Sequence, residues 1–130
     1  MTLTAPRLSL VENTGSSGPA SASERPLDLV HLSRYTLGNR NLETELLGLF
    51  RAQAGVYVAR LRDAATAKEW KDAAHSLKGS ARGLGAWVLG DIAEEAERRA
   101  DDDAAGRAYM IGRIRDAIDT VNLFIDELMA

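Results

Sequence analysis

The chain has no cysteine in 130 residues. That excludes disulfides, thiolate metal sites and thiol catalysis. It has no run of 18 apolar residues, so no segment reads as a membrane-spanning helix. The N-terminus lacks a basic start followed by an apolar block, so no signal peptide is read and a cytoplasmic location is expected. With a formal net charge of −3, no broad basic surface for nucleic acid is indicated. β-branched residues are sparse and period-2 runs are absent, so no strand is expected. Lysine is scarce as well: Lys68, Lys71 and Lys78 are the only three, and all fall in or beside one stretch.

What is present organises around that stretch, residues 68–86, KEWKDAAHSLKGSARGLGA. At a period of 3.6 it splits into two faces. Trp70, Ala73, Ala74, Leu77, Ala81 and Leu84 form an apolar stripe. Lys71, His75, Lys78, Gly79 and Arg82 form the other side. His75 is thereby a lone exposed imidazole with cations at −4, +3 and +7. Gly79 sits one turn above it, at a cost of about 1 kcal/mol relative to alanine. An uncovered imidazole that a partner can reach is the simplest return for that cost.

Upstream, residues 1–26 contain TGSSGPASASERP and read as a flexible arm, with Leu8, Leu10 and Val11 as a small apolar patch. Residues 27–130 read as one domain. Asp28 is a candidate N-cap for a short helix over Leu29, Leu32 and Tyr35. His31 on that helix is read as a surface or packed residue. After Gly38-Asn39, capped by Asn39 or Asn41, a second helix is expected from about Leu42 to Ala65. Its proposed stripe is Leu42, Leu46, Phe50, Tyr57 and Leu61, with Leu49 and Ala54 beside it, and Tyr57 is a packing residue. Thr66-Ala67 marks a tight reversal into the central helix, which Gly83-Leu84-Gly85 ends with a left-handed cap.

A fourth helix, about Ala86 to Ala100, offers Leu89, Ile92, Ala93 and Ala96 to the core. Glu94, Glu95, Arg98 and Arg99 read as its solvated face. Asp101-Asp102-Asp103 then separates it from the last helix. Consecutive aspartates point in different directions and acidic residues suit a helix N-terminus, so no metal site is read there. In the last helix, about Ala104 to Met129, Ile111, Ile114, Ile118, Val121, Ile125 and Leu128 recur at alternating spacings of three and four. That seam suits the shallow crossings of a bundle. The fold expected is all-α: an antiparallel four-helix bundle, up-down-up-down, with a short N-terminal capping helix.

Several chemistries lack their residues. No GxxxxGK[ST] loop is present, because Gly79, Gly83 and Gly85 follow the lysine. Ser76 and Ser80 have no paired base. No second histidine at i+4 exists for zinc, and of the acidic residues only Asp72, at −3, is placed to hold a His75 nitrogen. Two readings of His75 remain. One is a solvated helix face. The other is a phosphoryl acceptor, since an exposed imidazole offers a nitrogen lone pair and nearby cations favour an attached anion.

HSLKGSARGLGA resembles the signature of histidine-containing phosphotransfer (HPt) domains: His-x-Leu/Ile-Lys-Gly, small residues, then a hydrophobic residue, Gly and often Ala. The match runs through His75, Leu77, Lys78, Gly79, Ser80, Ala81, Leu84, Gly85 and Ala86, and the element order of residues 27–129 is similar. The resemblance implies a phosphorelay intermediate rather than an enzyme. His75 would carry the phosphoryl group, Lys78 would steady it, and Gly79 would clear room for a docking receiver domain. Lys71, Arg82 and Gly83 are further candidates for that docking. Arg82 departs from the small or polar residue usual at its position, which leaves open whether it meets phosphate or selects partners by charge. Trp87 is read as core rather than docking surface. The partners implied are receiver domains and a hybrid histidine kinase, with Mg²⁺ supplied by the receiver and no cofactor of the chain's own. A monomer is expected. Rival readings are a helical interaction module that carries no phosphate, and a dimer built on the 111–128 seam.

Overall fold

The structure is a computed structural model and describes residues 25–130. The N-terminal arm expected over residues 1–26, with its Leu8-Leu10-Val11 patch, lies almost wholly outside the described residues. Five helices and no strand occur among those described: α1 Leu29–Thr36, α2 Arg40–Asp63, α3 Ala67–Leu84, α4 Trp87–Arg98 and α5 Ala104–Met129. None is long and apolar enough to cross a membrane.

The helix starts follow from short polar side chains that accept otherwise unpaired backbone N–H groups. Asp28 accepts from His31 N, Asn39 from Leu42 N, Thr66 from Glu69 N and Asp103 from Gly106 N. Glu69 closes the α3 cap by accepting from Ala65 N. Asp103 therefore serves as a cap, while Asp102 binds Arg99 at 2.7 Å. Gly85, at φ +91, gives α3 its left-handed end; its N–H and that of Ala86 return to the last turn of the helix.

Helices α2, α3, α4 and α5 pack in a closed ring, α3 on α2 and α4, α5 on α2 and α4, while α1 lies against α2 and α3. All six residues expected on the inner face of α3 are buried. Trp70 is fully buried, donates from Nε1 to Ala96 O at 2.8 Å, and carries the Arg107 guanidinium 5.1 Å above its ring. This contact fixes α3 and α4 against each other one and a half turns below His75.

Two stripes differ from expectation. On α2 the buried residues are Leu47, Phe50, Ala54, Val58 and Leu61, while Leu42 and Leu49 are exposed. The run LLGLF spreads apolar residues over about 160° of the helix, wider than one stripe, so periodicity alone does not choose the face. Burial follows the 3-4-4-3 spacing that lets α2 touch both α3 and α5. Leu46 and Tyr57 are partly buried at its margin. On α1, Leu32 is buried but Tyr35 is exposed, because the face turned to the bundle carries Leu29, Leu32 and Thr36 and Tyr35 lies to one side of it. The α5 seam holds in its middle. Ile114, Ile118, Val121 and Ile125 are buried inside the chain's own core, joined by Met110, whereas Ile111 is half-buried and Leu128 exposed. These four seam residues are therefore not available to a second chain.

Candidate functional site

His75 stands on the outer face of α3 with 67% of its side chain exposed. Its Nδ1 lies 3.0 Å from Oε2 of Glu97 on α4, and Lys78 Nζ lies 2.8 Å from the other oxygen, Oε1. One carboxylate thus bridges the imidazole and the ammonium. The Glu97 side chain is only 15% exposed, and its buried Oε1 has the Lys78 ion pair as its compensation. Lys78 first, and then the His75 ring, hold the Glu97 carboxyl below the ordinary glutamate range. An ionised carboxylate only accepts, so Nδ1 carries the proton donated to it. In the neutral ring the lone pair then sits on Nε2, which has no hydrogen-bond partner among the described residues.

Glu97 was missing from the sequence reading, which looked for an orienting acid within a turn of His75. The nearest such residue, Asp72, takes Lys68 instead, at 2.7 Å. The partner comes from the next helix. Its signal is the two-residue turn between α3 and α4: His75 lies eleven residues before Ala86 and Glu97 eleven after. The same reflection brings together Arg82 and Gly90, four residues either side. A Cβ on Gly90 would come within 2.7 Å of the Arg82 side chain, which crosses α4 there to reach Asp91 at 3.0 Å and Glu94. The α4 face read as ordinary solvated surface is therefore an ion-pair partner surface. Glu94 pairs with both Arg82 and Arg98, and Glu95 binds Arg113 at 2.6 Å.

The cations expected around His75 accordingly differ in state. Lys78 and Arg82 are paired with carboxylates of α4, whereas Lys71 is exposed and has no ion-pair partner among the described residues. Arg82 is directed to Asp91 and Glu94.

Gly79 and Gly83 face open space, with no atom within 4 Å of a Cβ placed on either. Both line a shallow, largely apolar groove of about 260 Å³, walled by Tyr35 of α1 and Leu49, Phe50 and Tyr57 of α2. Tyr57 hydroxyl is 2.5 Å from Ser80 Oγ, a packing role with a polar tip. The α1 wall is anchored at its base. Asp28 N donates to Gly85 O at 2.9 Å, and Asp28 Oδ2 accepts from Trp87 Nε1, also at 2.9 Å. His31 Nε2 meets Gly83 O at 3.1 Å, with its ring edge-on to Trp87 at 4.8 Å. His31 is thus a packed residue. Trp87 is half-buried and works as a clamp on α1 rather than as core.

A family model, the Hpt domain, matches residues 45–124, more than half the chain and all of α3 and α4. The chain belongs to the Hpt family. Hpt domains act in histidine phosphotransfer within phosphorelays, as phosphocarriers rather than enzymes, and interact with receiver domains and histidine kinases. No curated protein and no solved structure matches the chain. In this Hpt domain His75 and Gly79 of the HSLKG segment are exposed on α3 while its Leu77 is buried, all inside the matched region, whereas Asp28 and His31, which anchor α1, lie outside it.

Proposed function

We propose that His75 is the phosphoacceptor and that the protein relays a phosphoryl group from one receiver domain to another. The observation that carries this reading is the hydrogen bond from Nδ1 to Glu97, which leaves Nε2 as the exposed nucleophile. Its lone pair attacks the phosphorus of a receiver's aspartyl phosphate. The bond from phosphorus to the acyl oxygen breaks, the aspartate carboxylate leaves, and the proton on Nδ1 stays on the ring beside Glu97. The product is an Nε2-phosphohistidine, and the reverse sequence delivers the group to a second receiver. Mg²⁺ belongs to the receiver, and the chain supplies positioning and charge.

Lys78 is the phosphate-stabilising residue in this reading. Its ammonium has three donors, so it can hold Glu97 and an incoming phosphoryl oxygen together. Gly79 supplies clearance, and the apolar groove on its flank, which Gly83 also lines, is the receiver's docking surface. Lys71, the uncompensated cation beside the site, attracts the acidic phosphoaspartate pocket of the partner. Arg82 selects partners only indirectly, by fixing α4. The supporting frame is an antiparallel up-down-up-down bundle with α1 as its cap. Two- and three-residue connections between α2, α3 and α4 favour that topology. A monomer acting in the cytoplasm, away from nucleic acid, completes the proposal. Burial of the α5 seam within one chain and the net charge of −3 support it.

The test is transfer from a panel of phosphorylated receivers to the wild type and to His75→Gln. Rapid Mg²⁺-dependent labelling of the wild type alone is expected, with an unchanged melting temperature in the variant because the side chain is exposed. Labelling of the variant at the wild-type rate overturns the assignment. Binding without any labelling favours a module that carries no phosphate.

A further inference from the structure

The groove beside Gly79 is open and lined mostly by apolar side chains. Tyr35 and Leu49, both in its lining, are 67% and 59% exposed, and the buried Phe50 and Leu84 line it too. The described chain enters next to it. Asp28 is bonded to Gly85, one residue beyond Leu84, and it packs so closely that a Cβ on Gly85 would come within 3.0 Å of Asp28 O. Whatever precedes residue 25 is therefore tethered at the groove's edge. In that preceding segment the only apolar cluster is Leu8-Ser9-Leu10-Val11, and its only charges are Arg7, Glu12 and Glu24.

We propose that Leu8, Leu10 and Val11 occupy this groove in cis and compete with the receiver for it, so that the arm regulates access to His75. The proposal rests on the reading of the groove as the receiver's docking surface. The tether is long enough. About 17 residues separate Val11 from Asp28, and that many residues span at most ~60 Å. Gly/Ser-rich tethers of such length hold their ends within about 23 Å on average, which corresponds to effective concentrations of the order of millimolar. The groove's α3 wall, Gly79 to Leu84, begins at the anchor itself. The chemistry fits too. The groove is lined by uncharged residues, and the LSLV cluster carries no charge. An intrinsic dissociation constant of about 0.1–1 mM, modest for three aliphatic side chains, is then sufficient to weaken receiver binding by roughly two- to tenfold.

The experiment uses the full chain. In Leu8→Asp/Leu10→Asp/Val11→Asp, the amide resonances of Tyr35, Gly79 and Gly83 are expected to shift, and a receiver domain is expected to bind two- to tenfold more tightly. Groove amides that superimpose on the wild type overturn the proposal. Shifts that fade on dilution of the wild type also overturn it, in favour of a second copy of the chain as occupant. The docking reading is tested separately by Leu49→Asp, an exposed position. If that change leaves receiver affinity intact, the receiver docks elsewhere and the competition claim falls, whatever the arm does. If it abolishes both receiver binding and the effect of the arm substitutions on the groove amides, both claims stand.

Discussion

At the scale of single residues, the site separates what stability wants from what transfer wants. Gly79 lies within a helix, and a Cβ there meets nothing within 4 Å. Its absence therefore has no packing reason. Gly79→Ala is expected to stabilise the protein by about 1 kcal/mol through helix propensity, seen as a raised denaturation midpoint. Gly79→Lys, equally tolerable to the fold, is expected to slow transfer from a phosphorylated receiver by tenfold or more. A lysine variant that transfers at the wild-type rate would show that no partner approaches this surface closely. Glu97 carries the complementary prediction. Glu97→Gln preserves shape and a hydrogen-bond acceptor but removes the charge that fixes the proton on Nδ1, so transfer is expected to fall by about tenfold. Incorporation of phosphate is expected to remain on His75, at Nε2. A phosphohistidine bonded through Nδ1 in the wild type, identified by its ¹⁵N couplings, would contradict the orientation described above.

At the scale of elements, α3 and α4 behave as one hairpin whose spacing is set by small groups. Gly85 has a positive φ and lies against Asp28 O, so Gly85→Ala is expected to cost about 1–2 kcal/mol or more. The loss should appear in equilibrium unfolding and should loosen α1, which is anchored at the same point. The hairpin also shows where the sequence was legible. The inner face of α3 was readable in full, since Trp70, Leu77 and the four residues between and beyond them are, apart from Ala67 at its start, the only apolar positions on an otherwise polar helix. The cap at Asp28, and Asn39 as one of two candidates with Asn41, were readable because capping is local chemistry, whereas Thr66 was legible only as part of a reversal. On α2 periodicity does not choose the face, since LLGLF spreads apolar residues over about 160° and the neighbours α3 and α5 decide which are buried. Glu97 was invisible for a related reason. Its relation to His75 exists only after the chain reverses, and no spacing within one helix encodes it. The reversal at Ala86, once placed, would have pointed to it.

At the scale of the whole molecule, acid is expected to act through several carboxylates at once. Glu97 beside Lys78, Asp28 beside Trp87 Nε1, Glu94 beside Arg82 and Glu95 beside Arg113 are all held below their ordinary range. Groups depressed in the folded state stabilise it fully above their unfolded values. That contribution is lost as pH falls through the folded values, because the unfolded chain then binds more protons. The melting temperature should be nearly flat from neutral pH down to about 5.5 and decline below about 4.5, where free carboxylates begin to protonate. Because the Glu94 and Glu95 pairs are each more than a third exposed, the decline should be shallow and partly screened by salt; a melting temperature that rises on acidification would contradict it. The two-residue turn between α3 and α4 has one more consequence. Imidazole, ammonium and orienting carboxylate all lie within residues 67–98, a single contiguous stretch. Sequence drift is therefore free to act unevenly. The outward positions of α5 can wander with little effect on the chemistry, whereas an insertion or deletion of one residue at Gly85-Ala86 shifts Glu97 by about 100° around its helix and uncouples it from His75 in a single step. The heritable unit of this site is a length as much as a set of residues.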